Sequence, residues 1–254
     1  MLKISIIKCL TDNYSYLIRD EKTNLVGIVD PSEFEAVDAE VSKSYKKLDF
    51  ILNTHHHFDH VGGNQELKKK YNSKIVASKI DETRIPGINI KVNEGDHFKF
   101  GETDFEIIFI PGHTKGHIAF YSKQEKIIFT GDTLFSLGCG RIFEGTYEEM
   151  FNSLNLIKSL PKETKIYCGH EYTDKNSEFC LVYDPDNEKL KNKINENKIK
   201  LKDGLPTIPT TLEEELDMNI FLRSDKKNIQ RNINLNNPTA LKTFSKLRDL
   251  KDNF

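Results

Sequence analysis

Apolar and polar residues alternate from the start of this 254-residue chain, with Leu2, Ile4 and Ile6 separated by Lys3 and Ser5. A period of two marks a half-buried strand. The pattern predicts strands over 3–9, 14–19 and 25–29, with Asp12-Asn13 and Glu21-Lys22-Thr23-Asn24 supplying the turns between them. Residues 33–46 read as a helix. Phe50-Ile51-Leu52 reads as the end of a buried strand, and 65–71 as a polar helix behind Val61-Gly62-Gly63-Asn64. Further strands are expected over 74–78, 98–100, 105–110, 118–122, 126–129 and 165–168. Residues 81–93 read as irregular, and 147–160 as a helix that stops before Pro161. From about Thr173 the alternation ends and Asn and Lys become dense. Helices are expected there over 186–202, 211–222 and 238–250, punctuated by Gly204, Pro206, Pro209 and Pro238. Strand-rich halves with helices between them imply an α+β fold, a two-layer β core covered by helices. The change near Thr173 implies a second domain over 173–254, after a first over 1–172.

Composition narrows the function classes. The charges nearly cancel, 37 − 39 = −2, which argues against a general nucleic-acid binder. No apolar run approaches the ~20 residues that span a membrane. The N-terminus enters a strand at once, without a basic segment and a long apolar stretch, so no signal peptide is expected and the location is expected to be cytoplasmic. Cys9, Cys139, Cys168 and Cys180 form no C-x-x-C pair, and a disulfide framework is not expected. A monomer acting on a small molecule is the expected state.

Residues 54–60 break the pattern. Thr54-His55-His56-His57-Phe58-Asp59-His60 holds four of the chain's eight histidines. A core would need a hydrogen-bond partner for each imidazole. Imidazole beside carboxylate instead suits a divalent metal. His55 and His57 lie two apart, so in extended chain they face one side, while Asp59 and His60 belong to the following turn. Three more candidates fall at strand ends, each after a glycine: His113 after Gly112, Asp132 after Gly131 and His170 after Gly169. Seven ligands are too many for one tetrahedral zinc with an open position, and suit two metals sharing one carboxylate. Zinc is the first expectation, with iron and manganese also compatible with these donors. Asp30, before Pro31, reads equally as a turn residue or as an acceptor for a ligating imidazole. His97 reads as an ordinary surface histidine.

The motif Thr54-His55-x-His57-x-Asp59-His60 resembles the signature of the metallo-β-lactamase superfamily. Pro111-Gly112-His113-Thr114, Thr130-Gly131-Asp132-Thr133, Gly138-Cys139-Gly140-Arg141, Phe143-Glu144-Gly145-Thr146 and Cys168-Gly169-His170-Glu171-Tyr172-Thr173 resemble hydroxyacylglutathione hydrolase, or glyoxalase II, within it. The ending Leu247-Arg248-x-x-Lys251-Asp252-Asn253-Phe254 is similar to that family's ending too. The resemblance implies a four-layer αβ/βα sandwich with a C-terminal helical domain that binds glutathione. It implies that His55, His57 and His113 hold one metal, that Asp59, His60 and His170 hold a second, and that Asp132 bridges. His56 and His117 are left to hydrogen bonds within the loop. It implies hydrolysis of S-D-lactoylglutathione to D-lactate and glutathione by a metal-bound hydroxide, the second step of methylglyoxal detoxification. Arg141, Tyr172, Arg248 and Lys251 would hold the glutathione part, with Phe143 where some relatives carry a tyrosine. Residues 225–252 carry seven basic residues against three aspartates, a local +4 that fits a dicarboxylate ligand. The rival within the superfamily is a persulfide dioxygenase using one iron, which would not need Arg248 and Lys251.

Overall fold

The computed structural model describes residues 1–254 and divides into two compact units, Met1–Phe109 with Thr114–Gly131, and Ile110–His113 with Asp132–Phe254. In the first unit the strands are β1 (Leu2–Cys9), β2 (Asn13–Asp20) and β3 (Val26–Val29), then helix α1 (Phe34–Ser44) and β4 (Phe50–Leu52). The short helix α2 (Phe58–Val61) and α3 (Asn64–Tyr71) follow, then β5 (Lys74–Ser78), β6 (Ile88–Val92), β7 (His97–Phe100), β8 (Thr103–Phe109), β9 (Ile118–Ser122) and β10 (Ile127–Gly131). Strands β1 to β6 form one sheet in sequence order. Its first three strands are antiparallel and β3 to β6 run parallel. Strands β7 to β10 run antiparallel in the order β10-β9-β8-β7.

The two sheets of this unit face each other. The Phe50 ring of β4 lies 5.2 Å from Phe98 and 6.0 Å from Phe100 on β7, and Tyr16 of β2 lies 5.4 Å from Phe129 of β10. The other face of the first sheet takes helices: Val37 and Val41 of α1 and Leu67 of α3 are fully buried with Ile28, Ile51 and Ile75. Each such side chain contributes about 1.5–3 kcal/mol relative to exposure. Cover on both faces explains why β2 and β3 are buried at nearly every position rather than alternating.

The second unit carries the hairpin β11 (Leu134–Phe135) and β12 (Gly138–Cys139), helix α4 (Tyr147–Lys158), β13 (Lys165–Cys168), α5 (Thr173–Tyr183), α6 (Glu188–Lys202), β14 (Thr210–Thr211), α7 (Leu212–Met218), α8 (Lys227–Asn232) and α9 (Ala240–Asp252). Helix α4 starts on a capping box: Thr146 Oγ1 accepts from Glu149 N, and the Glu149 carboxylate accepts from Thr146 N. An equivalent box at Thr211 and Glu214 opens α7.

Four expectations need correction. Residues 88–92, read as irregular, are β6, paired parallel to β5 across a register shift at Ile75/Val76; its half-exposed alternation on a sheet edge hid it. The turn after the histidine cluster contains α2. Helix α5 was missed because its polar Thr, Asp, Asn and Ser run lacks a helical stripe, yet Phe179 and Cys180 bury it. Helix α7 stops at Met218 and does not reach Leu222, because Asn219 turns extended and its Oδ1 accepts from Phe221 N at 3.0 Å.

Candidate metal centre

In the first unit the histidine cluster hangs on Asp30, which ends β3 with φ +48. A positive φ is uncommon outside glycine, Asn and Asp and marks a conformation the surroundings impose. Here the carboxylate collects three donors. Oδ1 accepts from Thr54 N at 2.8 Å, and Oδ2 accepts from Thr54 Oγ1 at 2.6 Å and from His60 Nδ1 at 3.1 Å. The bond from His60 fixes that ring's tautomer. A carboxylate only accepts, so Nδ1 carries the proton and Nε2 keeps its lone pair. The Thr54 hydroxyl has given its one proton to Asp30. It therefore accepts from His55 Nδ1 at 3.1 Å, which leaves the lone pair of His55 on Nε2 as well. Asp30, His55 and His60 bring their ligand atoms within 4.8 Å of one another, but with both oxygens of Asp30 collecting donors its part is to aim imidazoles rather than to bind metal. Of the two readings of Asp30, the supporting one is the one the geometry favours.

The His55 ring lies 4.8 Å from His57 and 4.2 Å from His60, and stacks on His117 at 4.5 Å. Asp59 is half-buried and accepts from Asn13 Nδ2 at 3.0 Å. At Gly131 (φ +46) a Cβ would lie 2.3 Å from Thr54 Oγ1 and 2.7 Å from His117 Cε1, so only glycine lets β10 end there. His56 Nε2 lies 3.4 Å from Arg84 Nη1, and its Nδ1 lies 3.7 Å from the buried carboxylate of Asp81, which pairs with Arg84. His97 is the surface histidine expected, paired to Asp104 at 2.7 Å.

The second unit gathers the other three candidates. Asp132 Oδ2 lies 3.6 Å from His113 Nε2 and 3.2 Å from His170 Nε2, and all three residues are buried. His113 Nδ1 donates to the Arg141 carbonyl at 2.8 Å, again leaving the Nε2 lone pair. The His170 ring stacks on Tyr172 at 4.6 Å, nearly parallel, and Phe135 meets both rings edge-on. Gly140 lies against this group so closely that a Cβ on it would come 1.9 Å from the Asp132 carbonyl oxygen and 3.2 Å from His113 Nδ1.

Three imidazoles tethered through Nδ1, with lone pairs on Nε2, together with carboxylates, form a donor set suited to a divalent metal. Cys168, two residues before His170, is buried, and that burial raises its thiol well above the ordinary range and keeps it protonated. All four cysteines are free and buried.

The family model for the metallo-β-lactamase superfamily matches residues 10–170, and the model for the hydroxyacylglutathione hydrolase C-terminus matches residues 171–254. A protein of Pelagibacter ubique named hydroxyacylglutathione hydrolase is 53% identical over 253 residues, covering 100% of both chains. The chain belongs to the hydroxyacylglutathione hydrolase family. Its metallo-β-lactamase fold, an α+β sandwich with C-terminal helices, is shared with the crystal structure of ETHE1 from Myxococcus xanthus, at TM-score 0.67 and 25% identity over 99% of both chains. It is shared also with a di-iron-bound form of TTHA1623, at TM-score 0.57 and 28% identity over 65% of this chain and 90% of that one. Like its family, the chain is a divalent-metal hydrolase.

The residues expected to hold glutathione lie in the second unit. The Arg141 side chain is 64% exposed and its Nε lies 3.6 Å from Asp252. Phe143 is exposed and packs edge-on against His113 at 5.2 Å. Lys251 donates to the Lys175 carbonyl at 3.1 Å and lies 5.0 Å from the Phe179 and Phe254 rings. Arg248 is 3% exposed, and Nη1 donates to the Cys139 carbonyl at 2.7 Å and Nη2 to Asp252 at 2.9 Å. Glu215 and Asn219 are not marked by the sequence, and Asn13 reads there only as a turn residue; Thr54 carries a signal, its place in the motif beside the histidines.

Proposed function

We propose that this chain hydrolyses S-D-lactoylglutathione and related 2-hydroxyacyl thioesters of glutathione to the free acid and glutathione. The observation that carries the reading is the match of residues 171–254 to the C-terminal model of this family, on a chain related end to end to a hydrolase of that name. A persulfide dioxygenase reading has no comparable support in the C-terminal segment.

His55, His57 and His113 are the proposed ligands of one divalent ion and Asp59, His60 and His170 of a second, with Asp132 shared. Zinc is the ion proposed, with iron and manganese as alternatives. When bound, such ions supply Lewis acidity that activates water near neutral pH and stabilises charge developing on the attacked carbonyl. The chain's own residues do the holding: Thr54, Asp30 and the Arg141 carbonyl keep the Nε2 lone pairs of His55, His60 and His113 on offer. The thiolate of glutathione is a good leaving group, so no side chain is needed as a strong general acid. Residues 1–172 are assigned to the hydrolytic domain and 173–254 to the glutathione domain. Arg141, Phe143, Tyr172, Arg248 and Lys251 are assigned to the glutathione part. Nη1 and Nη2 of Arg248 bond to the Cys139 carbonyl and Asp252, while its buried Nε meets no acceptor in the protein. No helix is long and apolar enough to cross a membrane. A monomeric cytoplasmic enzyme with no nucleic-acid partner completes the proposal.

The test is turnover of S-D-lactoylglutathione by the purified protein before and after chelation. Activity lost on chelation and restored by zinc, iron or manganese is the expected result. Absence of thioester hydrolysis by fully metallated protein would overturn the assignment.

A further inference from the structure

Between Asp132 and Arg141 the second unit makes a tight loop, β11, the two-residue turn Ser136-Leu137, and β12, with Phe135 paired to Gly138. Leu137 sits at φ +57 and is 1% exposed. A branched bulky residue rarely adopts that conformation, and it persists only where the surroundings over-determine it. The surroundings here are the C-terminal helices. Glu215 of α7 accepts from Leu137 N at 2.8 Å. Cys180 of α5 donates to the Leu137 carbonyl at 3.1 Å, and Asn176 to that of Ser136 at 3.0 Å. Asn219, which ends α7, donates to the Gly138 carbonyl at 3.1 Å and to Glu215 Oε2 at 2.9 Å. Arg248 of α9 takes the Cys139 carbonyl. Four consecutive carbonyls are thus held by side chains of one helical segment, and the next residue is Gly140, pressed on the Asp132 carbonyl and the His113 ring. Arg141 follows, and its carbonyl holds His113 Nδ1.

Five side chains of the C-terminal segment hold this short loop, two of them the fully buried Glu215 and Asn219. The buried carboxylate itself costs folding free energy unless it is fully satisfied, and its partners are Leu137 N, Asn219 and Thr210 Oγ1, the last at 2.8 Å.

We propose that Glu215 and Asn219 are positioning residues for hydrolysis, setting the main chain of 135–141 and through it the orientation of Asp132 and His113. The inference rests on the reading of those two as metal ligands. It gives the C-terminal helices a second task beside holding glutathione: neither residue touches substrate, and both act through backbone.

The test compares Glu215→Leu, which removes the acceptor for Leu137 N, with Glu215→Gln, which keeps it. Glu215→Leu is expected to lower kcat by roughly tenfold to a hundredfold, the scale of a misplacement near 1 Å. KM for the glutathione thioester should stay within about twofold, and less metal should remain per folded chain after gel filtration. Glu215→Gln should restore both kcat and metal content. Asn219→Ala provides the same readouts should Glu215→Leu not fold. A merely structural role would lower the unfolding temperature while folded protein kept normal kcat and metal, and that outcome overturns the proposal. Asp132→Asn, measured in parallel, separates the two readings: if it keeps full metal, the ligand assignment fails instead.

Discussion

Replacing Glu215 by Gln should change how stability depends on pH. The carboxyl is fully buried, and that burial pushes it up to about 7 from an ordinary glutamate value of 4.5, against the opposing hydrogen bonds from Asn219, Leu137 N and Thr210. The sign follows from linkage. The folded chain holds this proton more tightly than the unfolded chain, so below pH 4.5 the group is neutral in both states and costs nothing. As pH rises from 4.5 to 7 the unfolded chain releases the proton first, and folded stability falls. Above 7 the loss is constant, at about 3 kcal/mol for a gap of this size. The nearest other ionisable group on the helix, Glu214, is paired with Lys193 and held below its ordinary range, so it does not titrate in this window. Glutamine keeps an acceptor for Leu137 N and can donate to Thr210 Oγ1, and it removes the proton equilibrium. Urea unfolding of both metallated proteins, followed by circular dichroism at pH 5, 6, 7 and 8, measures the difference. The variant should gain on the wild type through this range, by about 3 kcal/mol in all. A difference that stays flat with pH would show that Glu215 is not a buried carboxyl of raised affinity for protons.

Two further substitutions probe the aiming of the ligands. Asp30→Asn turns one acceptor of the Thr54 and His60 tethers into a donor, and metal affinity in chelator competition should fall by about tenfold to a hundredfold; unchanged affinity would remove Asp30 from the site. Gly140→Ala forces the chain away from the Asp132 carbonyl, so kcat should drop by roughly tenfold or more with helix and strand content unchanged in circular dichroism, and a fully active variant would mean that this contact is slack.

The candidate ligands were legible because metal chemistry concentrates rare residue types. His55, His57, Asp59 and His60 fall within six positions, and His113, Asp132 and His170 each follow a glycine at the end of a strand. The strands around them were legible from alternation. Edge strand β6 and polar helix α5 were not, since their stability comes from neighbours distant in sequence rather than from their own pattern. Asp30 was legible as a possibility only: proline after aspartate reads equally well as a turn, and its three donors, two from Thr54 and one from His60, come from over twenty residues away.

Arg248 shows why the support around a site escapes a sequence reading while the site does not. A basic pair three residues apart on a helix is visible in the tail, and it points to a ligand with carboxylates. Which of its donors face the protein is decided 109 residues away, at the Cys139 carbonyl, just as the acceptor for Leu137 N comes 78 residues later, from Glu215. These contacts go to backbone, and backbone groups are the same at every position, so no residue type marks them. With Nη1 on the Cys139 carbonyl of the loop that follows Asp132, and with its proposed task on the glutathione part, Arg248 would connect the two proposed sites. An Arg248 substitution should then shift kcat along with KM, where a cation serving substrate alone would shift only KM.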